Sequence, residues 1–214
     1  MICLFGGTFD PVHRGHIHGA LTVCDVLELS QLRMVLSARP GHRQQPAADA
    51  GHRWRMLSLA CDADDRLIAD DRELQRDAPS YTVDTLVELR REAGNAPLGW
   101  VLGSDAFADL PSWHRWTEVL ELTNLVILQR PGQDAGAAME FGPVLAELCE
   151  RHRVDHAPTT ACGQIVFLED EMPAISASEV RAGLAAGRSV DHLLPEGVAT
   201  YITRHGLYGV LRDP

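Results

Sequence analysis

Short apolar runs alternate with amphipathic segments along the chain, and this alternation restricts the possible folds more than any other feature of the sequence. The apolar runs predict strands at 2–5, 33–37, 66–70, 98–103 and 125–129, with strand-like pieces at 153–156 and 165–169. The other segments predict helices at about 17–29, 52–62, 81–93, 113–122, 139–152, 177–186 and 196–205. Short strands that alternate with helices are typical of a parallel sheet covered on both faces.

The predicted fold is therefore α/β, a Rossmann-like doubly wound parallel sheet with helices on both faces and a short helical C-terminal segment. We expect one domain over residues 1–214, with a helical subregion at about 176–214. Right-handed crossovers place the ligand crevice of such a sheet at the carboxyl ends of its strands. The loops "GGTFDP", "SARPGHR", "GSDAF" and "QRPG" should emerge there, and the stretches 38–51 and 130–138 should be the most mobile.

Composition excludes several classes of function. The formal net charge of −11 opposes non-specific binding to nucleic acid or to an anionic membrane. The apolar runs fall short of the roughly 18 residues that cross a bilayer. All 19 basic residues are arginine, which excludes a lysine-dependent phosphate loop and Schiff-base chemistry. The five cysteines are scattered singly, which indicates reduced thiols, mostly in the core, rather than a disulfide or zinc framework. We expect a cytoplasmic protein, because the apolar runs are short and "MICLFGG" resembles a strand reaching a turn rather than a signal peptide.

The first predicted strand ends in Gly6 and Gly7, and Thr8 follows. Glycines at a strand end permit unusual backbone angles and the close approach of a ligand. Directly before a helix they also suit phosphate, because free N–H groups and the helix dipole favour an anion. A tight turn without a ligand is the alternative, and two glycines alone do not decide between the two.

His13 and His16 stand where the following helix begins. Residues three apart lie on one side of a helix, so both imidazoles could face an anion held by the glycine turn. Solvated or capping histidines are the simplest alternative. A zinc site is a third alternative, but His18 points about 200° around the helix from His16, so the three rings do not converge.

A second cluster lies far downstream, in "ISASEVRAGLAAG". Ser176 is a predicted N-cap with Glu179 three residues later, which is a capping box, and Gly187 is the predicted C-cap. Arg181 follows about one turn into this helix. A helix start with two serines and an arginine can bind an anion, since the planar guanidinium matches phosphate oxygens.

"GGTFDPVHRGH" and "ISASEVR" together resemble the H-x-G-H and I-S-x-[ST]-x-[IV]-R motifs of the nucleotidylyltransferase superfamily. The pieces "ARPGHR", "RELQRDAPSYTVDTL", "GSDAFADLPSWHRW", "LVILQRPG" and "LLPEGVATYITRHGLY" are similar, in order, to the bacterial nicotinate-nucleotide adenylyltransferase family. The resemblance covers nearly the whole chain. It implies transfer of AMP from ATP to nicotinate mononucleotide, with Mg²⁺ held mainly by the ATP phosphates.

The same resemblance implies roles for individual residues. The implied catalytic residues are His13, His16 and Arg181. The implied ATP-binding residues are Gly6, Gly7, Thr8, Phe9, His16, Gly103, Asp105, Ser176 and Arg181. The implied residues for nicotinate mononucleotide are His42, Arg43, Thr82, Trp113 and Asp105. Trp113 would stack on the pyridine ring, whereas Trp116 is expected in the core.

Departures from the family pattern are few. Gly41 precedes His42 where the family often has Pro-Pro-His, which makes this loop looser. His114 follows Trp113 where tyrosine also occurs. Ala177 replaces a frequent serine, and we expect little consequence because serines flank it on both sides.

Three alternatives to this function remain open. The acceptor could be the amide, nicotinamide mononucleotide, because the sequence does not resolve the donors around Thr82 and Trp113. The chain could be a non-catalytic nucleotide-binding module, although a binder has no need of His13 and His16 as transition-state donors. A nicotinamide-dependent oxidoreductase is the third, and the chain lacks the dinucleotide fingerprint of that class. The sequence leaves the oligomeric state open.

Overall fold

The computed structural model of the protein describes residues 1–41, 45–129, 141–171 and 173–210. In this part of the chain, six parallel strands form one sheet in the order β3-β2-β1-β4-β5-β6. The strands are β1 (Ile2–Gly7), β2 (Leu32–Leu36), β3 (Leu67–Asp70), β4 (Leu98–Gly103), β5 (Asn124–Gln129) and β6 (Ile165–Glu171). The order reverses between β1 and β4, and ligands of doubly wound sheets bind at the carboxyl side of such a switch point.

Helices connect the strands and finish the described chain. They are α1 (Arg14–Val26), α2 (Ala50–Cys61), α3 (Thr82–Ala93), α4 (Ser104–Ala108), α5 (Trp116–Leu122), α6 (Pro143–His152), α7 (Ala177–Ala185) and α8 (Glu196–His205). Short 3₁₀ turns lie at Leu110–Ser112, Asp191–Leu193 and Leu207–Gly209. Over the described ranges, none of the helices is long and apolar enough to cross a bilayer.

Successive side chains of the strands enter two separate cores. Cys3 and Phe5 of β1 face a core shared with α1, α2, α7 and α8, whereas Leu4 faces a core shared with α3 to α6. Side chains alternate across a strand, so an unbroken apolar run supplies both cores. Both faces of the sheet are thus covered, as the sequence predicts.

The carboxyl ends of three strands lie side by side at the centre of the sheet. Gly7 of β1 pairs with Leu36 of β2, and Phe5 of β1 pairs with Val101 of β4. The loops after β1, β2 and β4 therefore leave the sheet together. These loops carry most of the predicted site residues.

The predicted α/β class with a doubly wound parallel sheet is confirmed, but some predicted bounds are wrong. The first helix begins at Arg14 rather than 17, because its first turn is polar and shows no apolar period. The helix predicted at 113–122 begins at Trp116, since Arg115 has a left-handed backbone with a φ of 51°. The piece at 153–156 contributes a single bridge, between Arg153 and Ile165, instead of a strand. The loop predicted at 130–138 lies outside the described residues.

Four of the five cysteines are buried, namely Cys3, Cys24, Cys61 and Cys149, and Cys162 is half-buried. Burial raises the pKa of the Cys3 and Cys61 thiols to about 12. These two thiols stay protonated near neutral pH, where a thiol is a small apolar side chain. Their role as core filler agrees with the sequence analysis.

Candidate active site

Gly6 and Gly7 end β1 against two aromatic rings. A Cβ atom at Gly6 would lie 2.2 Å from Cζ2 of Trp100, and one at Gly7 would lie 2.7 Å from the Phe9 ring. Interiors are close-packed, so a side chain at either position would displace a ring. Packing therefore explains both glycines. The unusual backbone angle expected of them occurs instead at Phe9, whose φ is 47°.

Phe9 and Asp10 turn the chain from β1 towards α1. Phe9 is 2% exposed, and its ring meets the His16 ring edge-on at a centroid distance of 5.0 Å. An ATP contact at Phe9 would therefore use its backbone rather than its ring. The buried Asp10 carboxylate accepts the N–H groups of Ala47 at 2.7 Å and Ala48 at 3.1 Å, which ties this loop to the segment before α2.

His13 is the N-cap of α1 and His16 lies in its first turn. Both histidines therefore stand at the helix start, as predicted, although the helix begins three residues before the predicted bound. The two rings stack with their centroids 3.6 Å apart and their planes at 27°. Nδ1 of His16 accepts the backbone N–H of His13 at 3.2 Å, so in the neutral His16 ring the proton sits on Nε2. His13 is 2% exposed, whereas His16 is half-buried. Of the two rings, that of His16 is therefore the more accessible.

The downstream motif docks on the loop after β1. Ser176 is the N-cap of α7, and its Oγ accepts the Glu179 N–H at 3.1 Å, which is one half of the predicted capping box. Nη2 of Arg181 donates to Ser178 Oγ at 3.2 Å, and Nη1 donates to the carbonyl of Asp10 at 2.7 Å. The two motifs that sequence analysis singled out, 171 residues apart at this contact, thus meet at one edge of the sheet.

The start of α3 lies beside the loop after β2. The Ser80 N–H donates to the Arg39 carbonyl at 2.8 Å, and Thr82 is the first residue of α3. A Cβ atom at Gly41 would lie 2.9 Å from the Tyr81 ring, and that ring packs on His114 at a centroid distance of 4.3 Å. Tyr81 therefore brings together the regions of Thr82 and Trp113, two of the predicted acceptor residues.

Burial does not distinguish Trp113 from Trp116. Both are half-buried and pack against the core on the α3 side of the sheet. Trp113 follows the 3₁₀ turn in extended backbone, and its carbonyl accepts the Trp116 N–H at 3.3 Å. The expected division, with Trp113 for ligand and Trp116 for core, is not visible in the packing.

Gly103 and Asp105 lie where β4 ends, at the switch point of the sheet. Gly103 ends β4 and is the N-cap of α4, and Asp105 is exposed in the first turn of that helix. The helix α4 is not predicted from the sequence, because five residues are too few to show a helical period. His42 and Arg43 lie outside the described residues.

Sequence reasoning missed three residues that organise this edge: Asp10, Arg53 and Tyr208. The Tyr208 hydroxyl donates to Oδ1 of Asp10 at 2.8 Å. Burial, together with Asp10, raises the pKa of Tyr208 above its usual range, so the hydroxyl keeps its proton. Arg53 is buried on α2 with Met56 and Leu57, and an arginine on an apolar helical stripe was the available signal. No sequence signal pointed to Tyr208.

The assembled edge can bind and orient a polyphosphate. It offers the N–H groups at the start of α1 and α7, an imidazole donor at His16 and the guanidinium of Arg181. Within the described ranges, no group of three or more His, Cys, Asp or Glu side chains could hold a metal ion. Such an edge suits displacement at phosphorus, where positioning and charge neutralisation are the main contributions of a protein.

Known proteins with similar sequences or folds agree with this chemistry. A profile of the cytidylyltransferase-like family matches residues 4–183. A probable nicotinate-nucleotide adenylyltransferase of Methylococcus capsulatus is 44% identical over 212 residues, which are 97% of this chain and 99% of the relative. A protein of the same description from Pseudomonas fluorescens is 45% identical over 210 residues, which are 97% and 96% of the two chains. Plasmodium falciparum nicotinic acid mononucleotide adenylyltransferase complexed with NaAD shares the fold, with a TM-score of 0.75, 16% identity and 98% of each chain covered.

Proposed function

The chain belongs to the cytidylyltransferase-like family and, within it, to the nicotinate-nucleotide adenylyltransferases, and from this premise we propose that it transfers AMP from ATP to nicotinate mononucleotide. The products are nicotinate adenine dinucleotide and pyrophosphate. The observation that carries the proposal is the hydrogen bond from Arg181 to the Asp10 carbonyl. It joins the two candidate phosphate-binding motifs at the carboxyl edge of the sheet.

This reaction needs no covalent chemistry from the protein. The phosphate of the mononucleotide is already an anion and attacks the α-phosphorus of ATP in line, while the bond from that phosphorus to the pyrophosphate oxygen breaks. No general base or covalent intermediate is required. The enzyme holds two polyanions in the right geometry and neutralises the charge that develops on the α-phosphate and on the leaving pyrophosphate.

We place ATP over the carboxyl ends of β1 and β4. Nε2 of His16 would donate to the α-phosphate, and His13 would act with it through the stacked pair of rings. Arg181 would neutralise the β/γ end, close to its present position beside Asp10. The other proposed ATP contacts are Gly6, Gly7, Thr8, Phe9, Gly103, Asp105 and Ser176.

We place nicotinate mononucleotide between the loop after β2 and the start of α3. Trp113 would stack on the pyridine ring, Thr82 would lie beside its carboxylate, and Asp105 would accept a nucleotide hydroxyl. His42 and Arg43 would reach the phosphate. The contact between Tyr81 and His114 supports this arrangement, because it holds the neighbours of Thr82 and Trp113 together.

Mg²⁺ enters the proposal as the partner of ATP. This ion keeps several waters and is usually bound by substrate phosphates and few protein groups. When bound, the ion supplies additional neutralisation of phosphate charge.

We also propose that residues 1–214 act as one nucleotidylyltransferase domain in the cytoplasm, with 176–214 as a helical subregion and no nucleic-acid partner. The packing of α8 on α2 and the bond from Tyr208 to Asp10 support the single domain. The net charge of −11 supports the lack of a nucleic-acid partner.

The test is pyrophosphate release by the purified full chain with ATP and Mg²⁺. Three parallel reactions contain nicotinate mononucleotide, nicotinamide mononucleotide or no acceptor. We expect release with the acid, little release with the amide and none without an acceptor. Discrimination would then lie in the region of Thr82 and Trp113.

Each other outcome has a definite meaning. Comparable release with both acceptors would keep the chemistry and widen the substrate range to the amide. Release with neither acceptor would overturn the proposal, and ATP binding by calorimetry would then identify a non-catalytic nucleotide-binding module. Hydride transfer without pyrophosphate release would point to an oxidoreductase.

A further inference from the structure

Arg53 is a buried cation whose described hydrogen bonds all end on backbone oxygens. Its side chain is 1% exposed, on the inner face of α2. Nε donates to the carbonyl of Ala48 at 3.1 Å, and Nη2 donates to that of Ala38 at 2.8 Å. Nη1 donates to the carbonyls of Thr8 at 2.8 Å and Ser37 at 2.7 Å. One planar guanidinium thus holds four carbonyls together.

These four carbonyls belong to three segments that border the proposed substrates. Thr8 lies in the loop after β1, beside the proposed position of the ATP phosphates. Ser37 and Ala38 lead into the loop after β2, and Ala48 stands where that loop rejoins α2. The mononucleotide is proposed to bind along this second loop. The distance between the two loops therefore sets the distance between the reacting phosphates.

Asp10 supplies negative charge close to this cation. Burial lowers the pKa of Arg53, and the charge of Asp10 opposes that effect. The guanidinium remains charged, since arginine does not lose its proton in proteins. Asp10 is itself fixed by the N–H groups of Ala47 and Ala48 and by the Tyr208 hydroxyl. Arg53 therefore holds the loop after β1 through the Thr8 carbonyl, and the same loop is held a second time through the Asp10 carboxylate.

We propose that Arg53 is a positioning residue for adenylyl transfer, which touches neither substrate and fixes the spacing of the two loops that hold them. This inference rests on the proposed function. In-line attack is sensitive to such spacing, because a displacement of about 1 Å can lower a rate about 10²-fold. Lysine is a poor substitute, because one compact ammonium group cannot reach the four carbonyls that the planar fork spans.

Arg90 offers a matched control in the same molecule. Its Nε and Nη2 donate to the Leu122 carbonyl at 3.0 and 2.6 Å, and Nη2 also donates to that of Ala161 at 2.6 Å. Its Nη1 donates to the carbonyls of Gly94 and Ala96, each at 2.9 Å. These carbonyls precede β4, β5 and β6, at the amino edge and away from the proposed substrates. Loss of the Arg90 hydrogen bonds should lower the free energy of unfolding and leave kcat unchanged.

The experiment compares Arg53→Lys with Arg90→Lys in the full chain. Urea denaturation gives the free energy of unfolding, and pyrophosphate release gives kcat and both KM values at a temperature where each variant is native. We expect both variants to lose stability. Arg53→Lys should lose about tenfold or more in kcat, while its Kd for ATP by calorimetry changes less than about threefold. Arg90→Lys should keep its kcat within about twofold of wild type.

Arg53→Gln, which keeps two amide donors, replaces the lysine variant if that variant does not fold, and the same limits apply to it. A kcat within about twofold of wild type for the Arg53 variant would overturn the positioning role. An equal loss of kcat in the Arg90 variant would overturn it as well. Lack of pyrophosphate release by wild type would overturn the proposed function and this inference together, so the two failures are distinct.

Discussion

The amino and carboxyl edges of the sheet are held together in different ways. At the amino edge, Asn124 is fully buried, and its side-chain amide donates to the carbonyls of Leu98 at 3.0 Å and Thr160 at 2.9 Å. Its Oδ1 accepts the Gln164 N–H at 2.9 Å. Arg90 adds further bonds to carbonyls of the same edge. In these bonds, the partners of Asn124 and Arg90 are all backbone groups of the same edge.

At the carboxyl edge, buried side chains hold the loops together, whereas other side chains remain accessible on the outside. Asp10 and Arg53 join the loops from within, whereas His16 is half-buried and Asp105 is exposed. Ligands of doubly wound sheets bind at this edge, so its outer groups must remain able to contact them. We therefore expect a division between the two edges in their contributions to stability and to catalysis. Changes at the amino edge should alter stability alone, whereas changes at the carboxyl edge should also alter kinetics.

His16→Ala should give the largest effect and is the strongest test of this division. The variant removes the donor proposed for the α-phosphate, and loss of one preorganised transition-state donor lowers turnover about 10²- to 10³-fold. The KM for ATP should change much less, because the interaction acts mainly in the transition state. Steady-state pyrophosphate release measures both constants.

His18→Ala is the matched control, since His18 is exposed on the same helix and faces away from His16. It should keep kcat within about twofold. Near-normal turnover in His16→Ala would remove this residue from the mechanism and contradict the expectation that changes at the carboxyl edge alter kinetics.

Asn124→Ala should give the next largest effect, and only on stability. The variant removes a fully buried side chain and its three hydrogen bonds, to the Leu98 and Thr160 carbonyls and from the Gln164 N–H, which at about 1 kcal/mol each should lower the free energy of unfolding by about 2 to 3 kcal/mol. Urea denaturation measures the loss, and kcat per native molecule should not change. Asn95→Ala, at an exposed position near the same edge, should be close to neutral. A fall in kcat for Asn124→Ala would mean that the amino edge also shapes the site.

Trp113→Ala should give a moderate effect confined to one substrate. Loss of an aromatic stacking partner costs about 1 to 2 kcal/mol, so the KM for the mononucleotide should rise about tenfold while that for ATP changes little. Trp116→Ala is the control, because both rings are half-buried against the same core. It should lower stability and affect both substrates equally. Equal effects of the two variants would assign Trp113 a structural role.

The sequence predicts the carboxyl edge better than the amino edge, because the signals of the first are local. The cap position of Ser176 follows from residue type and spacing within one turn, and the glycines and histidines after β1 place the start of α1 to within three residues. Asn124 gives no such signal, since a polar residue before an apolar run reads as the end of a loop. Its importance depends on carbonyls and an N–H group from other segments.

Features that arise from tertiary contacts were beyond the sequence pattern even at the carboxyl edge. Gly6 is needed because Trp100, far along the chain, packs over it. The apolar stripe of α2 could mark Arg53 as buried, but the three segments that bring their carbonyls to it could not be identified from the sequence. The alternation of strands and helices gave the fold class, but the left-handed backbone of Arg115 moved a helix start. Local periodicity predicts elements, and contacts between distant segments adjust their ends.

Tyr208→Phe should give the smallest effect. Removal of the hydroxyl that donates to Asp10 should lower the free energy of unfolding by about 1 kcal/mol at neutral pH. Because Asp10 keeps its bonds to Ala47 and Ala48, kcat should fall no more than about threefold. Tyr201→Phe removes a hydroxyl that contacts His52 at 2.9 Å, where α8 meets α2, and should leave kcat unchanged.

The pH dependence of the Tyr208 effect has a definite sign. Burial and Asp10 raise the pKa of Tyr208, so the folded state retains this proton more strongly than the unfolded state. The stabilisation is fully present below the ordinary tyrosine pKa of about 10 and is lost as the pH rises through the higher folded value. The gap in unfolding free energy between wild type and Tyr208→Phe should therefore be constant from about pH 7 to 9 and shrink above about pH 10. If this difference in unfolding free energy already decreases below pH 9, the Tyr208 hydroxyl does not donate to Asp10. The turn at Leu207–Gly209 would then not be joined to the carboxyl edge by this bond.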